Sequence, residues 1–259
     1  MCELLGMSAN VPTDICFSFT GLIQRGGRTG PHKDGWGIVF YEGKGVREFR
    51  DPSPSCESEI AKLVQDYPIK SCNVVSHIRQ ANVGDICLEN THPFVRELWG
   101  CNWTFAHNGQ LKDSEWLSLG KDIPIGTTDS ERAFCWLLDK LRTEFTCMPE
   151  DISKLTDFLQ VHCDQLRAMG VYNMLLCNSH YLFAYCSTKL HWITRRAPFG
   201  QAQLKDTEMT VNFAGETTPN DIVTVIATEP LTDNEVWQQM ETGELLAFKE
   251  GLRIVGTDT

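Results

Sequence analysis

Residues 172–178 read YNMLLCN, 181–187 read YLFAYCS, 190–196 read LHWITRR, 208–213 read EMTVNF and 221–228 read DIVTVIAT. Each run has the length of a strand and is rich in aromatic, β-branched and other apolar residues. Asn178-Ser179-His180 is a hairpin-sized connection, so these strands are expected to be antiparallel neighbours. Working outward, CELLGMS (2–8), GIVFY (37–41), NVVSHIRQA (73–81) and NWTFAH (102–107) also read as strands. Two long helical patterns lie between the groups. Over 129–145 the apolar residues Phe134, Leu137, Leu138, Leu141 and Phe145 share one face; over 152–169 Ile152, Leu155, Leu159, His162, Leu166 and Met169 do. Shorter helices are predicted after Asp14, with Ile15, Phe19, Leu22 and Ile23 inward, and over 57–66, with Ile60, Leu63 and Val64 inward. Two strand groups with helices between them predict an α+β fold in which two mainly antiparallel sheets pack under helical cover. No repeat, low-complexity tract or Pro/Gly/Ser linker divides the chain, so residues 2–259 are expected to form one domain.

Composition narrows the function. Hydrophobic residues make up 42% and charged residues 22% of the 259, enough for a sizeable core. The net charge of −11 argues against a nucleic-acid or anionic-membrane surface, since both need clustered Lys and Arg. No apolar stretch approaches the ~18 residues of a membrane span, and the N-terminus lacks the basic and apolar regions of a secretory signal. A cytoplasmic protein is expected. The eleven cysteines invite a disulfide or metal reading, but the closest pair, Cys177 and Cys186, are nine apart, so no zinc-knuckle spacing exists. Most sit in apolar runs as small buried hydrophobes. Neither metal nor cofactor is expected.

Cys2 differs by position. Removal of Met1 leaves its thiol on the same residue as a free α-amine, whose ordinary pKa of about 7.7–8.0 suits a base that activates the thiol. By itself a Met-Cys start says little. Asn108-Gly109, after the strand NWTFAH, is usually a turn, but an Asn amide and a Gly N–H can also converge as an oxyanion hole. Arg79, near a strand end, is either a surface ion-pair partner or a clamp for a carboxylate. Thr128 and Glu131 read as a capping box that puts Asp129 in the first turn of the 129–145 helix. There a carboxylate complements the helix dipole or faces a substrate ammonium. The loop GGRTGPHKDGWG (26–37), with five glycines, is a wide surface loop or a flexible approach to a ligand.

As an ordered set these features resemble the class II glutamine amidotransferase family. The residues that carry the resemblance are Cys2, Arg25-Gly26 with Asp34-Gly35-Trp36-Gly37-Ile38, His77-Ile78-Arg79, Thr91-His92-Pro93, His107-Asn108-Gly109 and Thr128-Asp129-Ser130-Glu131. The later segment, from DIVTVIATEP to GELLAFKEG, is similar to the small stand-alone members, the YafJ-type group. The resemblance implies a four-layer αββα sandwich, the N-terminal nucleophile hydrolase fold. It implies that Cys2 attacks the side-chain amide of glutamine while Asn108 and Gly109 hold the oxyanion. Arg79, Asp129 and His92 would then bind substrate, and Arg25, Gly26, Asp34 and Gly35 would belong to a closing loop. This chain departs from the family where Gln80-Ala81-Asn82 replaces an aromatic followed by a small hydroxyl residue, and where the loop before Asp34 is longer. No acceptor or synthase domain is expected, so ammonia would pass to a separate acceptor subunit or be released. Three other readings remain open at this level: a γ-glutamyl amide or peptide hydrolase, a catalytically silent binding or regulatory subunit, and a cysteine-rich metal or redox protein.

Overall fold

The first strand, β1 (Glu3–Asp14), alternates between two apolar environments instead of between core and water. Leu5, Met7 and Ala9 pack on one side with helix residues, whereas Leu4 faces the other way into a layer without helix residues. The same alternation recurs along the chain, and it builds four layers. The computed structural model describes residues 2–67, 69–81, 84–213 and 218–255.

After β1 come α1 (Cys16–Arg25), β2 (Trp36–Glu42), β3 (Gly45–Asp51), α2 (Glu59–Asp66), β4 (Lys70–Ile78), β5 (Phe94–Leu98) and β6 (Cys101–Leu111). The helices α3 (Asp129–Glu144) and α4 (Ile152–Met169) lead into β7 (Gly170–Asn178), β8 (Leu182–Tyr185), β9 (His191–Arg196), β10 (Gln201–Gln203) and β11 (Thr210–Asn212). The chain closes with β12 (Ile222–Ala227), β13 (Gln238–Gln239), β14 (Leu245–Lys249) and β15 (Leu252–Val255). A seven-stranded sheet has the order β13-β9-β12-β1-β4-β2-β3, and a six-stranded sheet β15-β14-β8-β7-β6-β5. The paired strands in both are antiparallel.

Three buried clusters define the layers. Phe19, Leu22, Ala61 and Val64 of α1 and α2 cover Met7, Ile38, Phe40, Val74 and Val225 of the first sheet. Phe134, Leu137, Leu141, Leu155, Leu159 and Leu166 of α3 and α4 cover Phe105, Met174, Leu176 and Phe183 of the second. Between the sheets, Leu4, Val39, Val75, Ala106, Leu175, Ala184, Ile226, Leu246 and Phe248 form the central layer. This is the αββα sandwich. Strands buried on both faces are apolar at nearly every position, which is why the runs after residue 172 are continuous and not alternating.

Some expectations change. The strands after residue 172 are not all neighbours. Asn173 Oδ1 accepts the N–H groups of Ser187, Thr188 and Lys189 at 3.0, 3.0 and 3.2 Å, holding the segment in which the chain leaves β8 and crosses to β9 in the other sheet. The run EMTVNF contributes β11 to a separate two-stranded sheet with β10. In α2, Val64 faces the core as expected, but Ile60 and Leu63 are 39% and 58% exposed, and Ala61, three residues before Val64, is the other inward residue. The strand NWTFAH continues to Leu111, so Asn108-Gly109 lies inside β6 and is no turn. Asp14 does accept the Cys16 N–H at 2.5 Å at the start of α1. Thr128 caps α3 by accepting the Glu131 N–H at 3.2 Å, but the Glu131 carboxylate does not return to complete a box. It pairs with Arg96 and accepts the Gly126 N–H at 2.7 Å.

Candidate active site

A cleft opens where the ends of the two sheets meet the N-terminus of α3. The β1 end contributes Cys2; the segment after β4 contributes Arg79, Gln80 and Ala81. His92 comes from the approach to β5, His107 and Gly109 from β6, and Thr128, Asp129 and Ser130 from the start of α3. Parts distant in sequence thus bring a thiol, a guanidinium and a carboxylate to one space.

Cys2 is 9% exposed, its sulfur accepting the Gln80 N–H at 3.2 Å and lying 3.5 Å from the Gln80 carbonyl. Burial pushes the thiol up to about 11, against the downward pull of the Gln80 N–H, the N-terminal ammonium and Arg79. With Met1 attached, the Cys2 nitrogen is an amide and the thiol is neutral near pH 7. Activation therefore needs a base beside it.

Arg79 is 2% exposed and fixed from several directions. Its backbone N–H donates to Gly35 O at 2.8 Å and its carbonyl accepts the Asp34 N–H at 3.1 Å. Its guanidinium donates to the carbonyls of Asp85 and Gly84 at 3.0 and 3.2 Å. Asp34 Oδ2 also accepts the Ala81 N–H at 2.7 Å, so Asp34 and Gly35 are the bed on which Arg79–Ala81 lies. Gly35 turns the chain there at φ +113°, a conformation that disfavours a side chain. Arg25 is no loop residue either. It ends α1, 7% exposed, and pairs with Glu3 at 3.0 Å and Asp206 at 2.8 Å while donating to the carbonyls of Glu229 and Pro230. A Cβ on Gly26 would lie 1.8 Å from Ser55 Oγ. In this structure Arg25 is held by buried ion pairs, and Asp34 and Gly35 by hydrogen bonds to the segment after β4.

On the opposite wall, Asp129 Oδ2 accepts the Leu111 N–H at 2.7 Å, which anchors the α3 start to the end of β6. Ser130 Oγ and His107 Nδ1 are 2.8 Å apart, a second tie between the same elements. Asn108 is 1% exposed and turns away from the cleft's α3 wall toward the interior between the sheets. Its Nδ2 lies 3.4 Å from Thr228 Oγ1, and among the described residues its Oδ1 has no partner. Three neutral histidines back the cleft. Burial lowers His77 to about 3 and takes His92 well below its ordinary value; neighbouring His107 and Arg79 add to both effects. The His77 and His92 rings pack with centroids 4.2 Å apart, and among the described residues neither ring nitrogen of His92 has a partner.

No role was read from the sequence for Thr228, Asn173 or Glu3. Asn173 had a visible signal, a polar residue within the apolar run YNMLLCN, where Asn is depleted unless it has work to do. Thr228 had none, since its partners Leu4 and Asn108 are 224 and 120 positions away.

The αββα sandwich is the N-terminal nucleophile hydrolase fold, and its cleft gathers a cysteine, an arginine and an aspartate. The family description "Glutamine amidotransferases class-II" matches residues 1–259, and the chain belongs to that family. It is 64% identical over 255 residues to the YafJ protein of Escherichia coli, covering 98% of this chain and 100% of YafJ. A predicted glutamine amidotransferase of Pseudomonas aeruginosa has a crystal structure 53% identical in sequence, with a TM-score of 0.79 over 98% of this chain and 100% of that one. The phosphoribosylpyrophosphate amidotransferase of Bacillus subtilis shares the fold at 15% identity, with a TM-score of 0.61 over 98% of this chain and 48% of that chain. Among the described residues no helix is long and apolar enough to cross a membrane.

Proposed function

We propose that the chain, as a single domain with Met1 removed, hydrolyses the side-chain amide of glutamine through a Cys2 thioester. The observation that carries this reading is the meeting of Cys2, Arg79, Gly109 and Asp129 in one cleft. The freed α-amine takes the thiol proton, and the sulfur attacks the carboxamide carbon. Asn108 and the Gly109 N–H hold the oxyanion of the tetrahedral intermediate. The C–N bond breaks as the amine returns its proton to the leaving nitrogen, giving ammonia and a glutamyl thioester. Water then cleaves the thioester to glutamate and regenerates the thiol. Arg79 binds the α-carboxylate and Asp129 the α-ammonium, with His92 as a neutral wall between them. The reaction needs no cofactor. Ammonia is released or passed to a separate acceptor subunit. All eleven cysteines are free, which fits a reducing cytoplasm.

A second reading rests on the wall beside Cys2. Gln80 and Ala81 line the cleft there, where resembling family members carry an aromatic and then a small hydroxyl residue, and a smaller wall would admit a γ-glutamyl amide whose leaving group is larger than ammonia. Glutamate release from glutamine and from a panel of γ-glutamyl amides, with Cys2→Ala as control, separates the two. Glutamine is expected to react, and a larger amide with higher kcat/KM would favour the second reading. Protein of confirmed intact mass lacking Met1 should be active and the Met1-bearing form silent. A diazoketone analogue of glutamine should alkylate Cys2 alone; labelling elsewhere, or full activity with Met1 retained, rules against the mechanism.

A further inference from the structure

Thr228, immediately after β12, joins the strand that bears Cys2 to the side chain of Asn108. Its Oγ1 accepts the Leu4 N–H at 2.9 Å, and its own N–H donates to Leu4 O at 3.2 Å. Leu4 lies two residues from Cys2 on the same face of the chain. Thr228 is 5% exposed, and its carbonyl oxygen lies 2.9 Å from His191 Nδ1, so the residue is fixed on both sides. Asn108 is fixed as firmly: its carbonyl accepts Asn173 Nδ2 at 3.0 Å from the neighbouring strand.

One freedom remains, rotation of the Asn108 amide by half a turn. With Nδ2 toward Thr228, that hydroxyl oxygen receives two N–H groups, its proton is not used in the contact, and Asn108 Oδ1 is buried without a partner. With the amide reversed, the Thr228 hydroxyl accepts from Leu4 and donates to Oδ1, using both of its capacities. The unpaired atom is then Nδ2. A buried acceptor would repel a developing oxyanion, whereas a buried, unpaired N–H attracts one.

We propose that Thr228 is a positioning residue that sets the orientation of the Asn108 amide, so that Nδ2 is presented as an oxyanion donor in register with the Cys2 strand. The inference rests on the hydrolase reading for its consequence, and on geometry alone for the contact. Thr228→Val keeps the size and β-branching and removes only the hydroxyl; Thr228→Ser keeps the hydroxyl. In protein lacking Met1, Thr228→Val should lower kcat for glutamine about tenfold or more, with KM within about twofold, as for weakened transition-state stabilisation. Thr228→Ser should restore most of the rate. Thr228→Val combined with Asn108→Ala should be no slower than Asn108→Ala alone, because the two act as one unit. A wild-type kcat in Thr228→Val, or losses that multiply in the double variant, overturns the proposal. A second readout does not depend on turnover: the side-chain amide ¹⁵N–¹H signal of Asn108, assigned by its loss in Asn108→Ala. It should shift in Thr228→Val and stay near its wild-type position in Thr228→Ser; an unmoved signal in Thr228→Val overturns the contact. A wild-type protein inert toward every γ-glutamyl amide, with an Asn108 signal that still depends on Thr228, overturns the hydrolase reading and supports the contact.

Discussion

A Cβ added to Gly109 would lie 1.8 Å from the Val171 carbonyl oxygen and 2.7 Å from His107 Nε2. The glycine is demanded by the close approach of β6 and β7, and so the Gly109 N–H can be aimed at the cleft only while those strands keep their spacing. Gly109→Ala should push the strands apart, lower the melting temperature and cut kcat more than 10²-fold; calorimetry and steady-state kinetics check both. Asn108→Ala should lower kcat by about 10²–10³ with KM little changed, the pattern for loss of one oxyanion donor. Arg79→Ala and Asp129→Ala should mainly raise KM, since they grip groups whose charge does not change during reaction. An Asn108→Ala variant whose only defect is in KM would remove the oxyanion role. At this scale the sequence was readable where residues close in the chain reach one cleft, as His107 and Gly109 do. It was silent about Thr228, whose meaning depends on a contact with residues from the other end of the chain.

Among the elements, helices were readable because each has one wet face, so the 3.6-residue period of α3 and α4 survives in their apolar positions. Strands were readable as runs, but their partners were not. A strand apolar on both faces gives no sign of which sheet it joins, and the Asn173 cradle that moves the chain between sheets is formed by N–H groups whose residue types are immaterial. The α2 misreading has a similar origin: Ala61 and Val64 bury, while the larger Ile60 and Leu63 stay outside. The strongest coupling between an element end and the site is Arg25, which closes α1 and pairs with Glu3, the residue after Cys2. With both side chains about 8–10% exposed, Arg25→Met would leave Glu3 and Asp206 without their shared cation. Removing one partner from a buried ion pair costs about 3–5 kcal/mol. Urea unfolding should show that loss. Arg25→Lys should recover only part of it, because a single ammonium cannot reach two carboxylates and two carbonyls. A variant as stable as the wild type would show that this cluster is not what pins the start of β1.

For the molecule as a whole, the same burial that shapes the cleft sets its response to acid. His77, His92 and His107 are at most 3% exposed, and burial lowers the pKa of each. His77 falls to about 3; the charges that face these rings, Arg79 and the histidines themselves, push the same way, while Asp129 pulls His107 back up. At neutral pH the wall of the cleft is therefore uncharged, and Arg79 and Asp129 are left as its charged groups. In the unfolded chain the same histidines titrate near 6.5. Below that pH the unfolded state binds protons that the folded state refuses, so stability falls as pH drops from about 6.5 toward 3. A fully depressed histidine contributes about 1.4 kcal/mol per pH unit, and the three act in the same direction. Glu3, raised by burial, works in the opposite direction above its unfolded value, but as one group against three. Urea unfolding at pH 7.5, 6.5 and 5.5 should show a small loss of stability between the first two and a loss roughly three times as large between the second and third. His92→Phe is the informative variant. Among the described residues both ring nitrogens of His92 lack partners, and the ring already packs against Phe94 with centroids 4.3 Å apart, so the substitution removes a titrating group without breaking a hydrogen bond. The variant should lose stability less steeply, by about 1.4 kcal/mol per unit below pH 6.5. Parallel slopes for the variant and the wild type would mean that His92 takes up its proton as readily folded as unfolded, and the neutral wall would have to be abandoned.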